Sequence, residues 1–246
     1  MRRRFFVEQF TGGRATVSGP TAHHLGRVLR AAAGQVYELS DGRTVCLARV
    51  ERIGRDSIDF AVIEPLPTPA QRLDPTLLIA VVKFERFEWA LEKATELGVS
   101  AIVPLAAARS EKALLAAAPK RAERWKKILL EAAQQARCLR PPTLCPLAPP
   151  QQAFLADGSS IRILLSEQAG APHLRGVLDE KARNQANVGP SPVRFVLAIG
   201  PEGGWTEPEL AAAEAAQFSP ASLGDNILRT ETAVVAGLAA AQLYLG

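Results

Sequence analysis

Residues 64–75 read Glu64-Pro65-Leu66-Pro67-Thr68-Pro69-Ala70-Gln71-Arg72-Leu73-Asp74-Pro75, and no other segment restricts the possible folds as strongly. Each proline removes a backbone donor and favours extended backbone, so the segment reads as a linker between two differently built parts. Before it lie short β-like runs at residues 4–7, 15–17, 35–40, 45–50 and 57–62, with Asp41-Gly42 as a tight-turn signal between two of them. One helical stretch, 23–29, interrupts them. This pattern implies a small β-barrel over residues 1–68.

After the linker the pattern changes to alternating strand and helix. Residues 77–82 form an apolar run suited to a buried parallel strand. An amphipathic helix follows over 85–97, closed by Gly98 as its C-cap. A strand at 101–105 leads to a long helix, 120–140, with Trp125, Ile128, Leu129 and Ala132 on one stripe. Further buried strands are expected at 161–165 and 195–199, with a helix at 174–181 and a polar loop at 182–192 between them. The last two helices fall at 206–217 and 231–244. Alternation of this kind over residues 73–246 predicts an α/β domain with a mainly parallel sheet.

Composition narrows the partners. Formal charge is only +4, but through Leu66 every cation is an arginine: Arg2, Arg3, Arg4, Arg14, Arg27, Arg30, Arg43, Arg49, Arg52 and Arg55. A guanidinium suits phosphate and stacks on bases, which points to RNA or another acidic partner. Arginine codons of a GC-rich genome, accompanied here by abundant Ala and Pro, explain the same bias equally well. Cys46, Cys138 and Cys145 form no CxxC pair, and His23, His24 and His173 do not complete a zinc set, so no metal is expected. The start Met1-Arg2-Arg3-Arg4-Phe5-Phe6-Val7 lacks a signal-peptide apolar region, and no apolar run is long enough to span a bilayer. A soluble, cytoplasmic protein with reduced thiols is the expectation.

Two stretches carry chemistry. Ile199-Gly200-Pro201-Glu202-Gly203-Gly204-Trp205-Thr206-Glu207-Pro208-Glu209 runs from an apolar strand through three glycines into a helix. Thr206 and Glu209 have the spacing of a capping box. Glycines where a strand meets a helix let a ligand approach the backbone, although a tight structural turn uses the same residues. No GxGxxG or GxxxxGK[ST] motif is present, which argues against dinucleotide and P-loop phosphate binding. The second stretch, Ser222-Leu223-Gly224-Asp225-Asn226-Ile227-Leu228-Arg229-Thr230-Glu231-Thr232-Ala233, enters a nearly uncharged terminal helix. Such a helix is buried in the core or against a second subunit. The polar groups at its mouth then form either an Arg–Glu pair with threonine capping or a catalytic cluster.

Gly200-Pro201-Glu202-Gly203-Gly204, Leu223-Gly224 and Ile227-Leu228-Arg229-Thr230-Glu231-Thr232-Ala233 resemble the RsmE family, the bacterial 16S ribosomal RNA uridine-N3 methyltransferases of the SPOUT superfamily. Arg3-Arg4-Phe5-Phe6, His23-His24-Leu25, Val28-Leu29-Arg30, Lys83, Glu88-Trp89, Glu96-Leu97-Gly98-Val99, Arg109-Ser110, Arg124-Trp125 and Glu131-Ala132-Ala133 with Gln135 extend the match in the same order along nearly the whole chain. The resemblance implies an α/β SPOUT domain with a C-terminal trefoil knot and a small N-terminal PUA-like β-barrel. It implies a homodimer, S-adenosyl-L-methionine as cofactor, and 16S rRNA in the assembled 30S subunit as substrate, methylated at uridine 1498. Carried over, the cofactor residues are Leu165, Ser166, Glu167, Ile199, Gly200, Pro201, Glu202, Gly203, Gly204, Leu223, Gly224, Asn226, Ile227 and Leu228. Asn226 stands where the family leads us to expect a basic residue, Ala136 where it has glycine, and Phe84-Glu85 where it has a small and polar pair.

Uridine N3 is protonated at neutral pH, so the site must remove that proton or stabilise the anion left behind. Arg229 is assigned to electrostatic stabilisation and orientation, because an arginine stays charged and is a poor base. Glu231 is either the base or the group that orients Arg229. RNA contacts are expected from Arg2, Arg4, Arg27 and Arg30 in the barrel and from Arg121, Arg124 and Arg137 on the long helix. A SPOUT enzyme for another rRNA or tRNA site, and a non-catalytic RNA-binding assembly factor, are the competing readings.

Overall fold

A computed structural model describes residues 3–68, 70–155, 161–168, 170–185 and 191–246. The chain forms two compact units, Met1–Ala70 with Glu131–Pro141, and Gln71–Leu130 with Pro142–Gly246. The first unit therefore includes a segment that the sequence pattern assigns to the second.

The first unit is a curled five-stranded sheet built from β1 (Arg4–Phe6), β2 (Arg14–Ser18), β3 (Val36–Ser40), β4 (Val45–Ile53) and β5 (Ser57–Leu66), in the order β1-β3-β4-β5-β2. Only β1 and β3 run parallel. Two-residue alternation gives the sheet its inside. On β2, Ala15 and Val17 are buried while Arg14, Thr16 and Ser18 face out. Phe5, Leu25, Leu39, Ala48, Val50, Ile58 and Phe60 complete this core. The Ser40 hydroxyl donates to the Leu139 carbonyl at 2.6 Å, which ties residues 131–141 to the sheet. The helix expected at 23–29 begins earlier, as α1 (Gly19–His23), and then widens into a π-helical turn, His24–Val28. There the Leu29 N–H donates to the carbonyl of His24, five residues back.

The second unit contains β6 (Leu73–Ala80), α2 (Phe84–Glu96), β7 (Ala101–Leu105), α3 (Lys112–Ala136, grouped here through Leu130), β8 (Thr143–Leu144), α4 (Pro150–Ala153), β9 (Ile161–Leu165), α5 (Leu174–Gln185), β10 (Val193–Ile199), α6 (Glu207–Ala215), β11 (Ser219–Ala221) and α7 (Thr230–Leu245). All strand pairs are parallel, in the order β11-β9-β10-β6-β7-β8. Continuous apolar strands result because both faces are covered. Leu77, Ile79, Ile163 and Leu197 pack with Phe87, Trp125, Val234 and Leu238 on one face. Leu78, Leu164, Val196 and Ala198 pack with Phe154, Trp205 and Phe218 on the other.

Three local expectations change. Pro65 and Pro75 belong to strands β5 and β6, so the connection shrinks to residues 67–72. Pro65 sits where one side of β5 is unpaired, since β2 pairs β5 only to Ala61, whereas Pro75 stands at the end of the β6–β7 pairing, its carbonyl accepting from the Ser100 N–H at 2.8 Å. The long helix starts at Lys112 rather than 120, carries Pro119 inside, and ends at Ala136, where Arg137 takes φ 57°. Helix α5 runs to Gln185, so the expected loop at 182–192 begins inside a helix, and its residues 186–190 lie outside the described residues. Among the described residues no helix is long and apolar enough to cross a membrane.

Candidate functional site

The strand order brings the carboxyl ends of β9, β10 and β11 side by side, the region outside which open parallel sheets place their ligands. The loops that follow these strands enclose a cavity of about 310 Å³, floored by Leu165, Ile199, Ala221 and Leu228 and closed on one side by Thr230 and Ala233 of α7. That volume suits a small-molecule ligand, for which pockets of roughly 300–1,000 Å³ are usual.

The walls are held by specific bonds. After β10, the Gly204 N–H closes a turn onto the Pro201 carbonyl at 2.8 Å, with Gly204 at φ 71°. The Trp205 indole N–H donates to the Leu165 carbonyl at 2.9 Å, joining this turn to the end of β9. Its ring lies so close to Gly200 that a Cβ there would sit 3.0 Å from it. Arg109, in the loop after β7, donates to the carbonyls of Gly203 at 2.7 Å and Trp205 at 3.1 Å. A Cβ on Gly203 would come within 3.3 Å of that arginine's own Cβ. These two glycines therefore make room for Trp205 and Arg109, not for a ligand.

Beneath the turn, the buried Glu209 carboxylate accepts bonds from the Thr206 N–H, the Thr206 hydroxyl and the Ala108 N–H, each at 2.8 Å. The capping-box spacing is thus used, and it also fixes the 106–110 loop. From above, the buried Thr230 hydroxyl donates to the Gly200 carbonyl at 3.2 Å.

The cavity is lined by Leu165, Ser166, Glu167, Ile199, Gly200, Pro201, Glu202, Gly204, Leu223, Gly224, Asn226, Ile227 and Leu228 of the expected cofactor residues. Gly203 is not among them, because it faces Arg109. Sequence reasoning missed Gln168, Trp205, Ser222 and Thr230 as wall residues. Arg229 and Glu231 flank the wall residue Thr230 but do not line the cavity. Nor do they pair with each other. Positions i and i+2 at a helix start face different ways. Arg229 is exposed and has no hydrogen-bond or ion-pair partner among the described residues. Glu231 instead lies 3.9 Å from the Arg86 guanidinium of α2, which also hydrogen-bonds the cavity residue Glu202. The threonine capping expected at this helix start is likewise absent, since Thr230 bonds to Gly200.

The arginines expected to hold RNA divide into two groups. Arg4 is occupied by the Glu38 carboxylate at 2.9 Å and the Arg137 carbonyl at 2.6 Å, and Arg137 lies 3.4 Å from the same Glu38. Arg121 and Arg124 converge on Glu88, at 3.4 and 2.8 Å, and the bond to Glu88 pushes the Arg124 guanidinium further up its scale. These four also have partners within the chain, and Arg121, Arg124 and Arg137 stay partly exposed beside them. Arg27 and Arg30, on and just after the π-helical turn, are exposed, and Arg30 takes φ 51°. Arg2 lies outside the described residues.

Comparison with known proteins agrees with this geometry. An RNA methyltransferase domain family matches residues 69–242, and an RNA methyltransferase PUA domain family matches residues 17–63. The ribosomal RNA small subunit methyltransferase E of Synechocystis is 34% identical over 238 residues, 94% of this chain and 74% of the relative. The solved structure of the protein of that name from Neisseria gonorrhoeae, bound to S-adenosylmethionine, superposes with a TM-score of 0.81 at 29% identity, covering 99% of this chain and 98% of the other. A methyltransferase from Legionella pneumophila in complex with the same cofactor superposes with a TM-score of 0.82 at 26% identity, covering 99% and 98%. With a curled N-terminal sheet, a parallel C-terminal sheet and a cavity at the ends of β9, β10 and β11, the chain belongs to the RNA methyltransferase family, among the ribosomal RNA small subunit methyltransferase E proteins.

Proposed function

We propose that this chain transfers the methyl group of S-adenosyl-L-methionine to N3 of a uridine in 16S ribosomal RNA, at position 1498 and in the assembled 30S subunit. The observation that carries the reading is the cavity between the Gly200–Gly204 turn and the Leu223–Leu228 loop, lined by the residues that the family resemblance assigns to the cofactor. Relatives named for small-subunit rRNA methylation, and neighbours solved with the cofactor bound, support it.

The residues fit the cofactor. Leu165, Ile199, Leu223 and Leu228 offer apolar surface to a flat base and a thioether chain, and Ser166, Glu167, Glu202 and Asn226 offer polar groups to a ribose and an amino acid. When bound, the cofactor supplies an electrophilic methyl group on a cationic sulfonium. The chain's own task is to hold uridine N3 in line with that methyl and to take its proton. Pairing with Arg86 rather than Arg229 favours Glu231 as the proton acceptor over Glu231 as the orienter of Arg229. Its Oε2 has no hydrogen-bond partner among the described residues, so the lone pairs of that oxygen are not committed within the chain. Arg229, charged and uncommitted, would face the charge that develops on O2 and O4 as the proton leaves. The N3–C bond then forms as the S–CH3 bond breaks, and the proton on Glu231 passes to solvent.

Arg27 and Arg30 are the phosphate contacts best supported, since both are exposed and neither has a side-chain partner among the described residues. Threading of the loops after β9, β10 and β11 into a trefoil knot belongs to the same proposal, as does work in the cytoplasm on the ribosomal subunit. So does a homodimer. The outward side of α7 carries Val235, Ala236, Ala239 and Ala240, and Leu243 is 84% exposed. An apolar helix side of this kind gains by covering itself with a second copy. Light scattering should give the mass of two chains, and Leu243→Glu should shift the population toward one; a monomeric parent protein would refute the dimer.

The deciding assay incubates the protein with labelled cofactor and either 30S subunits or naked 16S RNA from a strain lacking the modification, and locates the methyl group by mass spectrometry. N3-methyluridine at position 1498, formed on 30S, is the expected product. A methyl group on another base, or on tRNA, would overturn the substrate assignment. Cofactor binding without transfer to any RNA would favour an assembly factor.

A further inference from the structure

The carboxylates of Glu202, in the turn after β10, and Glu231, in the first turn of α7, meet one guanidinium, that of Arg86. Arg86 is three-quarters covered, and its partners differ in setting. Glu202 is half-exposed on the cavity wall, whereas the Glu231 side chain is only 15% exposed. Glu231 meets Arg86 through Oε1, and its Oε2 remains buried with no partner. The start of α7 is thus tied to the turn after β10 twice, directly through Thr230 and Gly200, and through the side chains of Glu231, Arg86 and Glu202.

We infer that Arg86 is a positioning residue for methyl transfer: by pairing with Glu202 on the cavity wall and lying beside Oε1 of Glu231, it fixes the start of α7, and with it Arg229 and Glu231, against the turn that lines the cavity. The inference rests on the function proposed above. Electrostatics supports it, because without Arg86 the largely covered Glu231 carboxylate would lose the cation beside it. Guanidinium geometry supports it too. The planar fork presents donors in fixed directions, so it can serve two carboxylates at once, whereas an ammonium is a point charge. Once that tie is lost, the residues at the start of α7 are no longer held against the cavity wall. Displacements of about 1 Å cost on the order of 100-fold in rate when a reaction depends on alignment.

The test compares the parent protein with Arg86→Ala and Arg86→Lys, using 30S turnover, calorimetric titration with S-adenosylhomocysteine, and thermal unfolding. For Arg86→Ala we expect kcat to fall on the order of 100-fold, from lost alignment, with KM for 30S within about 2-fold. Affinity for S-adenosylhomocysteine should fall roughly 10-fold as Glu202 loses its partner, while the unfolding temperature stays within a few degrees. Arg86→Lys should recover most of the affinity and part of kcat, a rescue that a purely structural role would not give. Unchanged kcat and affinity in Arg86→Ala would overturn the inference, and so would equal losses in both variants together with a large fall in unfolding temperature. A parent protein that binds and methylates beside an indifferent Arg86→Ala variant refutes only this inference. A parent protein that does neither refutes the function and the inference with it.

Discussion

Replacing Glu209 by alanine is expected to lower the stability of the second unit by roughly 3–5 kcal/mol, the range for uncovering several buried hydrogen-bonding groups at once. Glu209 is 1% exposed and accepts bonds from two backbone N–H groups, of Ala108 and Thr206, and from the Thr206 hydroxyl. Alanine leaves the Ala108 and Thr206 N–H groups and the Thr206 hydroxyl without their shared acceptor, and each orphan costs about 1–3 kcal/mol to the extent that it stays out of water. The start of α6 also loses a negative charge where the helix dipole favours one. The unfolding temperature should drop by about 10 °C, at the few degrees per kcal/mol usual for chains of this size. Glu209→Gln keeps one acceptor oxygen and should lose less than half as much. Because the same carboxylate anchors the turn that lines the cavity, cofactor affinity measured well below the new midpoint should also fall. Chemical denaturation with a cofactor titration checks both effects; a loss below 1 kcal/mol would show that neighbouring groups or water replace the carboxylate.

Glu209 also marks what could be read from the sequence. Thr206 and Glu209 are three residues apart, so their interaction is local and their spacing announces it. The bond from Glu209 to Ala108 crosses a hundred positions, and no local pattern encodes it. The parallel sheet was likewise legible, because strands buried on both faces must be apolar throughout, as 161–165 and 195–199 are. Errors arose where tertiary packing outweighs a local rule. Pro119 marks a helix boundary by its missing N–H, yet α3 passes through it, with Ala118 buried beside it and Leu114 and Leu115 packed on the core. Pro65 suits a linker by its missing N–H, but a proline costs a strand little where one side has no neighbour, and Pro75 enters β6 at the end of its pairing with β7, where only its carbonyl is needed.

The site divides in the same way. Its backbone loops are contiguous in sequence and were legible nearly residue by residue. Its side-chain ties are not. The glycine pattern suits either close approach of a ligand or a tight turn, and at Gly200 and Gly203 the near neighbours are the Trp205 ring and the Arg109 side chain. Arg86 stands in an unremarkable helix start, 116 positions from Glu202, and nothing near it in sequence distinguishes it from a solvated charge. Arg4, Arg121, Arg124 and Arg137 show the converse. They look like a phosphate-binding set because composition counts charges without their partners, and Glu38 and Glu88 are those partners.

Arg229→Ala should lower kcat by about 100- to 1,000-fold, the loss typical when one preorganised donor to a developing oxyanion is removed. Arg229 is exposed, makes no hydrogen bond or ion pair among the described residues, and does not line the cavity. It also occupies the N-cap position of α7, where the helix dipole disfavours a cation and where Ser, Thr, Asp or Asn would bond the free N–H groups. A residue placed against local stability and without structural contacts is best explained by the reaction it serves. The variant should therefore keep its unfolding temperature or gain slightly, and bind S-adenosylhomocysteine within about 2-fold of the parent, since uniform binding does not depend on this group. Arg229→Lys keeps the charge without the fork that spans two oxygens, so it should recover only part of the rate. Single-turnover kinetics on 30S subunits separates the chemical step from RNA binding. If Arg229→Ala raised KM for 30S and left kcat intact, Arg229 would be a phosphate contact rather than a stabiliser of the uridine anion, and the charge on O2 and O4 would need another partner.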